Sequence, residues 1–282
     1  MFGSHLSIAG GLHNALLAAE QLGCETVQVF TKSQKIWACK PLEGAAIGEW
    51  KSHCDRLKFK HTVSHDSYLI NLAATNEEFW RKSVVLFVEE LNRCAALGIP
   101  YLVSHPGAHM GAGEAAGITK IVAALNVIHA QVTDAGVVTC LEITAGQGTS
   151  LGYRLEHLAE IIARVKHPQR LGVCLDTAHL FAAGYDFRGR KYATFRKELD
   201  AIIGIDRVKV LHLNDSKKAL GSRVDRHDHI GRGMIGLEGF RPFVRDKAFK
   251  NVPKILETPK EGTSEDGRDW DAVNLDALRG LM

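Results

Sequence analysis

The segment RVDRHDH, residues 223–229, alternates side chains that can bind a metal with other charged residues. Asp225, His227 and His229 follow one another at intervals of two residues. Such alternation is typical of a β-strand, but nothing apolar lies between these residues to be buried. Taken alone, the segment is more typical of a solvated surface than of a metal site. The histidines and acidic residues elsewhere in the chain favour the metal site.

Six further side chains of the same kinds end successive strand-like runs. The ends lie 34 to 45 residues apart, which is about one strand and one helix each time. If the strands are parallel and close into a barrel, their carboxyl ends meet at one mouth, where barrels build their active sites. One histidine at a strand end is more often structural than a ligand, but six such ends in succession predict a metal site. The six residues are His65, His105, Glu142, Asp176, His212 and Glu257.

Three more candidate ligands lie just above these strand ends. His179 follows Asp176 by three residues, in a loop or first helical turn. Asp225 and His227 belong to the loop after the seventh strand and, being two residues apart, point the same way. The RVDRHDH segment is therefore predicted to cover a metal cluster. His229 is predicted to face solvent or to support the site without binding a metal.

The number and types of candidate ligands indicate which ions they suit. A zinc ion takes about four ligands, so nine candidates suit two or three ions. Five of the nine are imidazoles and four are carboxylates, which favours zinc or another transition metal over magnesium. Clustered divalent ions suit an anionic substrate, and two ions can stabilise the attacking and leaving oxygens of a phosphodiester.

The elements that must position these side chains are eight short apolar runs separated by amphipathic helical patterns. This alternation predicts parallel strands with right-handed crossovers, closed into a (β/α)8 TIM barrel with its active site at the carboxyl ends of the strands. A doubly wound open sheet is the alternative, and it is disfavoured because no GxGxxG motif follows the first run. No linker divides the chain, so residues 1–282 are predicted to form a single catalytic domain. The runs are 2–7, 26–30, 61–65, 101–106, 137–144, 171–177, 208–215 and 252–258.

Glycines mark the ends of several predicted helices. Helical patterns cover residues 83–98, 116–136 and 155–165, and Gly98 and Gly136 stand at the ends of the first two. Gly23 has the same position after the first helix. Glycine is common just past a helix because it adopts a left-handed conformation without steric cost.

Composition limits the class of protein. The chain has 282 residues, 45% of them hydrophobic, with a formal charge of +3, which is compatible with a polyanionic partner but does not require one. Its six cysteines form no CxxC pair, which predicts a reducing compartment without disulfides. Cys140 and Cys174 lie in apolar runs and are predicted to be small buried hydrophobes. The absence of a signal peptide and of a membrane-length apolar run predicts a soluble, cytoplasmic protein.

Seven segments of the chain resemble endonuclease IV, the zinc-dependent apurinic/apyrimidinic (AP) endonuclease family of base-excision repair. They extend from the second strand to the last, and the matches in DTAHLFAAGYD and GSRVDRH are highly specific. The segments are FTKSQKIW (30–37), HDSYLINLA (65–73), LVSHPGAH (102–109), LEITAGQGTSLG (141–152), GVCLDTAHLFAAGYD (172–186), HLNDSKKALGSRVDRH (212–227) and LETP (256–259).

The resemblance implies three zinc ions, one of which manganese could replace, and assigns the ligands. His65 and His105 would hold the first ion, and Glu142 would bridge it to the second. Asp176, His212 and Glu257 would complete the second ion's ligands. The third ion would be held by His179, Asp225 and His227. Glu142, Asp176 and Glu257 would then be the catalytic carboxylates.

The resemblance also implies a substrate and a reaction. A monomer would bind double-stranded DNA containing an abasic site, associated with the nucleoid while acting, and hydrolyse the phosphodiester 5′ to the lesion. The products would be a 3′-hydroxyl and a 5′-deoxyribose phosphate, and 3′-blocking groups would also be removed. The family bends the duplex and flips the abasic nucleotide out, which predicts DNA contacts by Lys35, Tyr68, Leu69 and Arg226. Inserted side chains partly replace lost base stacking.

One position departs from the family pattern, and two other functions compete. A known member of the family carries arginine at the position of Lys35, and lysine lacks the planar guanidinium that stacks on bases. A metal-dependent sugar isomerase or epimerase on a related barrel is one alternative, disfavoured by the abundance of imidazoles. A non-catalytic lesion-binding protein is the other, disfavoured by the complete ligand set.

Overall fold

Eight of the strands form a closed barrel in which all pairings are parallel. The structure is a computed structural model that describes residues 1–132 and 136–282. Each barrel strand pairs with its neighbours along the chain, and the last strand closes the ring against the first, which confirms the predicted TIM barrel. The barrel strands are β1 (Phe2–His5), β2 (Thr26–Val29), β3 (Val63–His65), β4 (Tyr101–Ser104), β5 (Val138–Glu142), β6 (Leu171–Asp176), β7 (Val208–His212) and β10 (Lys254–Leu256); β8 (Asp215–Ser216) and β9 (His227–Asp228) form a separate pair.

The helices lie between the barrel strands. Gly98 ends one of them in the left-handed conformation, as predicted, with φ of 74°. The pattern at 116–136 overestimates its helix, because the backbone leaves the helical region at Val132, with φ of −104° and ψ of 89°. Residues 133–135 of that prediction lie outside the described residues. Within the described ranges the helices are α1 (Leu12–Gln21), α2 (Gly44–Leu57), α3 (Glu77–Leu97), α4 (Glu114–Gln131), α5 (Leu155–Arg164), α6 (Thr177–Ala183), α7 (Lys191–Ile202), α8 (Leu237–Arg245) and α9 (Trp270–Arg279).

A layer of small and branched apolar side chains fills the barrel interior. Each stands two residues before one of the six strand-end candidate ligands. Because side chains two apart in a strand point the same way, those six candidates are directed inward, one layer nearer the mouth. Both cysteines of the layer are fully buried, as predicted. The layer is Val63, Val103, Cys140, Cys174, Val210 and Ile255.

The segment between β7 and β10 folds back across the mouth through the β8–β9 pair. Ser216 pairs with His227 in antiparallel register. The buried Asp215 carboxylate holds the fold by accepting main-chain hydrogen bonds from Ile235 and Gly231, each at 2.9 Å. Gly233 packs so closely that a β-carbon there would come 2.5 Å from the Asp215 Oδ1 atom. The RVDRHDH segment is therefore a loop fixed over the barrel, with only its His227 and Asp228 in a strand.

Among the helices of the described ranges, none combines the length and the apolar character that a membrane span requires.

Candidate metal centre

Glu142, the last residue of β5, stands at the centre of the mouth and is fully buried. Its Oε2 atom lies 3.2 Å from His65 Nε2 and 3.3 Å from His105 Nε2. Its Oε1 atom lies 3.0 Å from His212 Nδ1. The two oxygens of one carboxylate thus face imidazoles from different sides of the barrel, which is the geometry of a bridging ligand.

A second group of ligand atoms surrounds His212 at the end of β7. Its Nδ1 atom lies 3.1 Å from Glu257 Oε2 and 3.9 Å from Asp176 Oδ2. Asn214 fixes both acidic residues, because its amide donates to Asp176 Oδ2 at 2.6 Å and its oxygen accepts from the Glu257 main chain at 2.7 Å. Asn214 therefore restrains the Asp176 carboxylate directly and the main chain of Glu257.

The third group lies above the strand ends and includes the residues of the covering loop. Asp176 caps α6 by accepting a hydrogen bond from His179 N at 2.9 Å, which sets the position of that histidine on the first helical turn. Asp225 joins two imidazoles, with its Oδ2 3.1 Å from His179 Nε2 and its Oδ1 3.3 Å from His227 Nε2. The structure thus brings together all nine candidate ligands named from the sequence.

The hydrogen bonds of three imidazoles leave ligand atoms without a hydrogen. The Nδ1 atoms of His65, His179 and His227 each lie within 3.1 Å of a main-chain carbonyl oxygen. A carbonyl only accepts, so Nδ1 carries the hydrogen and Nε2 of the neutral ring presents a lone pair to a carboxylate. Within the described residues, the buried His227 Nε2 has no hydrogen-bond partner. A cation between lone pair and carboxylate satisfies both, so these residues fit a divalent metal.

The electrostatics of the cluster point the same way. Burial by itself raises the pKa of Glu142, but the His212 and His105 imidazoles hold that pKa well below its usual value. The pKa of Glu257 is also lowered against its burial, chiefly by His212. Burial lowers the pKa of His65, but Glu142 raises it to about 9. The carboxylates therefore stay ionised, and positive charge from protons or metal ions must balance them.

The ligand atoms group into sets whose members all lie within 4.8 Å of one another. Asp176 falls in two of these sets, one with His179 and His227 and one with the residues around His212. Cys174 also falls in a set, beside Glu142, but burial raises the pKa of its thiol to about 12, which keeps it protonated. The sets without a cysteine are His65, His105, Glu142; Asp176, His179, His227; and Glu142, Asp176, His212, Glu257.

Sequence reasoning missed two polar residues beside these ligands. His5 ends β1, and its Nδ1 atom lies 3.1 Å from Glu257 Oε1. Gln28 lies within β2 and contacts both Glu257 and His212. The rule that located the other ligands at strand ends could have found His5, but the first run was predicted to extend to residue 7. The signal for Gln28 is an amide inside an apolar strand.

The residues predicted to contact DNA lie around the rim of the mouth. The Tyr68 side chain is 63% exposed, and its ring lies 5.4 Å from the His65 ring. Leu69 is partly buried and packs against the core, so the two differ in environment. Lys35 and Arg226 are exposed. The loop after β2 is joined to the loop after β3 where Gln34 Oε1 accepts a hydrogen bond from Tyr68 N at 3.2 Å.

Known proteins are similar to this chain in fold and in sequence. A family described as "Xylose isomerase-like TIM barrel" matches residues 16–279. The "Probable endonuclease 4" of Chloroflexus aurantiacus is 47% identical over 282 residues, covering 100% of this chain and 98% of that protein. The protein of the same name from Geobacter sulfurreducens is 49% identical, covering 99% and 94%. The chain belongs to the endonuclease IV family.

Solved structures agree with this assignment. Endonuclease IV from Thermus thermophilus superimposes with a TM-score of 0.86 at 37% identity, covering 99% of this chain and 98% of that one. A D-tagatose 3-epimerase-like protein has a TM-score of 0.75 but only 20% identity, a likeness of fold alone. Family membership confirms the predicted resemblance and makes this protein a nuclease. The clusters described above give it residues able to hold a metal cofactor.

Proposed function

We propose that this protein is a DNA-repair AP endonuclease that hydrolyses the phosphodiester 5′ to an abasic site in duplex DNA. The products are a 3′-hydroxyl and a 5′-deoxyribose phosphate, and 3′-blocking groups are removed at the same site. The observation that carries the proposal is the set of nine imidazoles and carboxylates at one barrel mouth in a member of this family. The acting form is a monomer, with residues 1–282 as its single catalytic domain.

The cofactor that best suits this set is three zinc ions, one of which manganese can replace. His65, His105 and Glu142 would hold the first ion. Glu142, Asp176, His212 and Glu257 would hold the second. His179, Asp225 and His227 would hold the third. Bound zinc supplies positive charge that stabilises the attacking and leaving oxygens of the phosphodiester.

The protein's own groups prepare the site for an anionic substrate. Glu142, Asp176 and Glu257 would be the catalytic carboxylates, because they would hold the cofactor that stabilises the scissile phosphate. Asn214 holds the Asp176 carboxylate through a hydrogen bond of 2.6 Å and the Glu257 main chain through one of 2.7 Å. The Nδ1 hydrogen bonds of His65, His179 and His227 to main-chain carbonyls prevent these three rings from turning. A site fixed in this way needs little rearrangement when the substrate arrives.

Recognition of the lesion falls to the rim. The exposed Tyr68 ring stands beside His65, so a side chain inserted into the duplex at this point keeps the lesion next to the candidate ligands. Leu69 supports it from a half-buried position, and Lys35 and Arg226 contact the DNA from their own loops. The few kcal/mol lost when a base step is unstacked are offset by such insertions.

A nicking assay tests the function directly. The purified protein should cleave a labelled duplex at a single abasic site after addition of zinc, leaving the undamaged duplex intact. Metal analysis of the same sample should give about three zinc ions per chain, the number for which nine ligands suffice. Lesion binding without a nick supports the non-catalytic alternative. A single manganese ion with epimerisation of a ketose supports the sugar-epimerase alternative.

A further inference from the structure

We propose that Gln28 is a positioning residue that determines which atoms of His212 and Glu257 face the metal centre. The inference rests on the proposed function of this site. Gln28 belongs to β2, where its Cα is registered against His5 on one side and Val63 on the other. Val63 belongs to the apolar layer of the barrel, so β2 carries an amide at the level where its neighbour β3 carries valine. The amide is completely buried.

The orientation of this amide follows from one of its partners. One end of the amide lies 2.6 Å from Glu257 Oε1. A carboxylate only accepts hydrogen bonds, so that end must be the NH2 group, and the opposite end must be the carbonyl oxygen. The reverse orientation would place two oxygens in contact at a fully buried position, where nothing else could relieve their repulsion.

The fixed amide then determines the hydrogen position on His212. The Gln28 Oε1 atom lies 2.8 Å from His212 Nε2, and an amide oxygen only accepts. His212 Nε2 therefore carries a hydrogen, and Nδ1 is the atom left for a metal. Nδ1 is also the atom within 3.1 Å of both Glu142 Oε1 and Glu257 Oε2. This histidine is oriented by a side chain, whereas His65, His179 and His227 rely on main-chain carbonyls.

The same amide selects the oxygen that Glu257 offers. Its NH2 group binds Oε1, which leaves Oε2 directed at His212 Nδ1. The NH2 group also lies 2.9 Å from His5 Nδ1. His5 is itself held against Phe30, with ring centroids 4.3 Å apart. One glutamine thus aligns two ligands of the same ion, braced by a histidine from the neighbouring strand.

The test compares substitutions on a single strand by their metal affinity in the absence of DNA. Gln28→Met keeps the length and approximate volume of the side chain and removes both hydrogen bonds. Gln28→Glu keeps an acceptor for His212 but replaces the donor to Glu257 with a second carboxylate. Thr26→Val is the matched control, because Thr26 is two residues earlier on the same strand face and its hydroxyl donates to His61 O at 2.6 Å, away from the ligands.

We expect Gln28→Met to lower the affinity for one zinc ion by about 10–100-fold, as loss of an outer partner of a ligand typically does. Gln28→Glu should lower it at least as far. The other ions should be unaffected, and Thr26→Val should stay within about twofold of the wild-type protein. Titration with zinc against a chromophoric chelator measures each affinity. The absorption spectrum of the cobalt-substituted protein should change in the Gln28 variants and not in the control.

Two results would overturn the inference: unchanged affinity for every ion in both Gln28 variants, or an equal loss in Thr26→Val. The second result would mean that any buried polar group of the strand merely supports the barrel. On an abasic duplex, the Gln28 variants should lose kcat while KM is kept. The affinity measurement uses no DNA, so it judges the role of Gln28 even if the abasic duplex is not cleaved. Failure of cleavage by the wild-type protein with all its zinc would overturn the proposed function instead.

Discussion

The floor and the rim of the barrel mouth are built in different ways. The floor consists of side chains at strand ends, such as Glu142 and His212, which are fully buried and packed on the apolar layer beneath them. The rim consists of loop residues such as Asp225, whose side chain is 40% exposed, and Tyr68. Strands fix a side chain through neighbours on both sides, whereas loops leave a side chain exposed, where it can meet a substrate. We infer that chemistry depends on the floor and that lesion recognition and the third ion depend on the rim.

The largest effect is expected from Glu142→Gln on the floor. A neutral amide is a poor bridge between two ions, so kcat on an abasic duplex should fall by more than the roughly 100-fold that changes outside the ligand set produce. The fold should persist, because the amide has the same shape. A quenched-flow or gel assay with metal analysis measures both properties.

The matched control is Glu90→Gln, the same substitution at a fully buried carboxylate of α3. Its Oε2 accepts a hydrogen bond from Thr31, and it stands outside the candidate ligand set. Near-wild-type kcat is expected for this control. If Glu142→Gln keeps wild-type turnover and full metal content, the floor does not carry the chemistry.

The next effect concerns the rim ion. His227→Ala should remove about one zinc ion per chain, because a third ion would retain too few ligands, while the floor keeps all six of its strand-end candidates. His229→Ala is a control from the same loop, since the His229 ring stacks on Trp270, with ring centroids 3.7 Å apart, instead of facing the cluster. Zinc content and circular dichroism of the two variants decide the point. If His227→Ala contains as much zinc as His229→Ala and the wild-type protein, His227 is not a ligand.

The sequence locates the six strand-end candidate ligands better than the residues that contact them, and the reason is periodicity. Each candidate stands two residues beyond an inward apolar residue, so a local pattern predicts that it faces the mouth. Gln28 escapes this reasoning because its partner Glu257 is 229 residues away and becomes a neighbour only when the barrel closes. The burial of Leu69 next to the exposed Tyr68 is likewise set by how one loop packs on the core. Neither contact leaves a periodic signal.

A smaller effect is expected from Tyr68→Ala, which separates recognition from chemistry. Stacking of an aromatic side chain on a base contributes roughly 1–3 kcal/mol, so affinity for the abasic duplex should fall about 10–100-fold. Affinity for an undamaged duplex and zinc content should change little. Leu69→Ala should lower thermal stability as well, because Leu69 packs against the core. Val127→Ala, at a partly exposed position on α4, is the control for both alanine substitutions.

Fluorescence anisotropy with the two labelled duplexes measures this difference. An equal loss of affinity on both duplexes would mean that Tyr68 contacts the DNA backbone or packs the rim, and that lesion recognition lies elsewhere. Cleavage at saturating enzyme should fall less than affinity does, because the floor is intact in this variant.

The smallest effect is expected from Arg226→Ala, which tests whether the rim also supplies a contact that is independent of the lesion. Arg226 is exposed on the covering loop, next to Asp225, and its guanidinium donates to the Asp225 main-chain oxygen. A phosphate contact contributes equally to any duplex, so both affinities should fall by the same few-fold factor. The slope of log affinity against log salt should become shallower by about one. Zinc content should not change. A selective loss on the abasic duplex would instead make Arg226 part of lesion recognition, and an unchanged slope would mean that it does not touch the backbone.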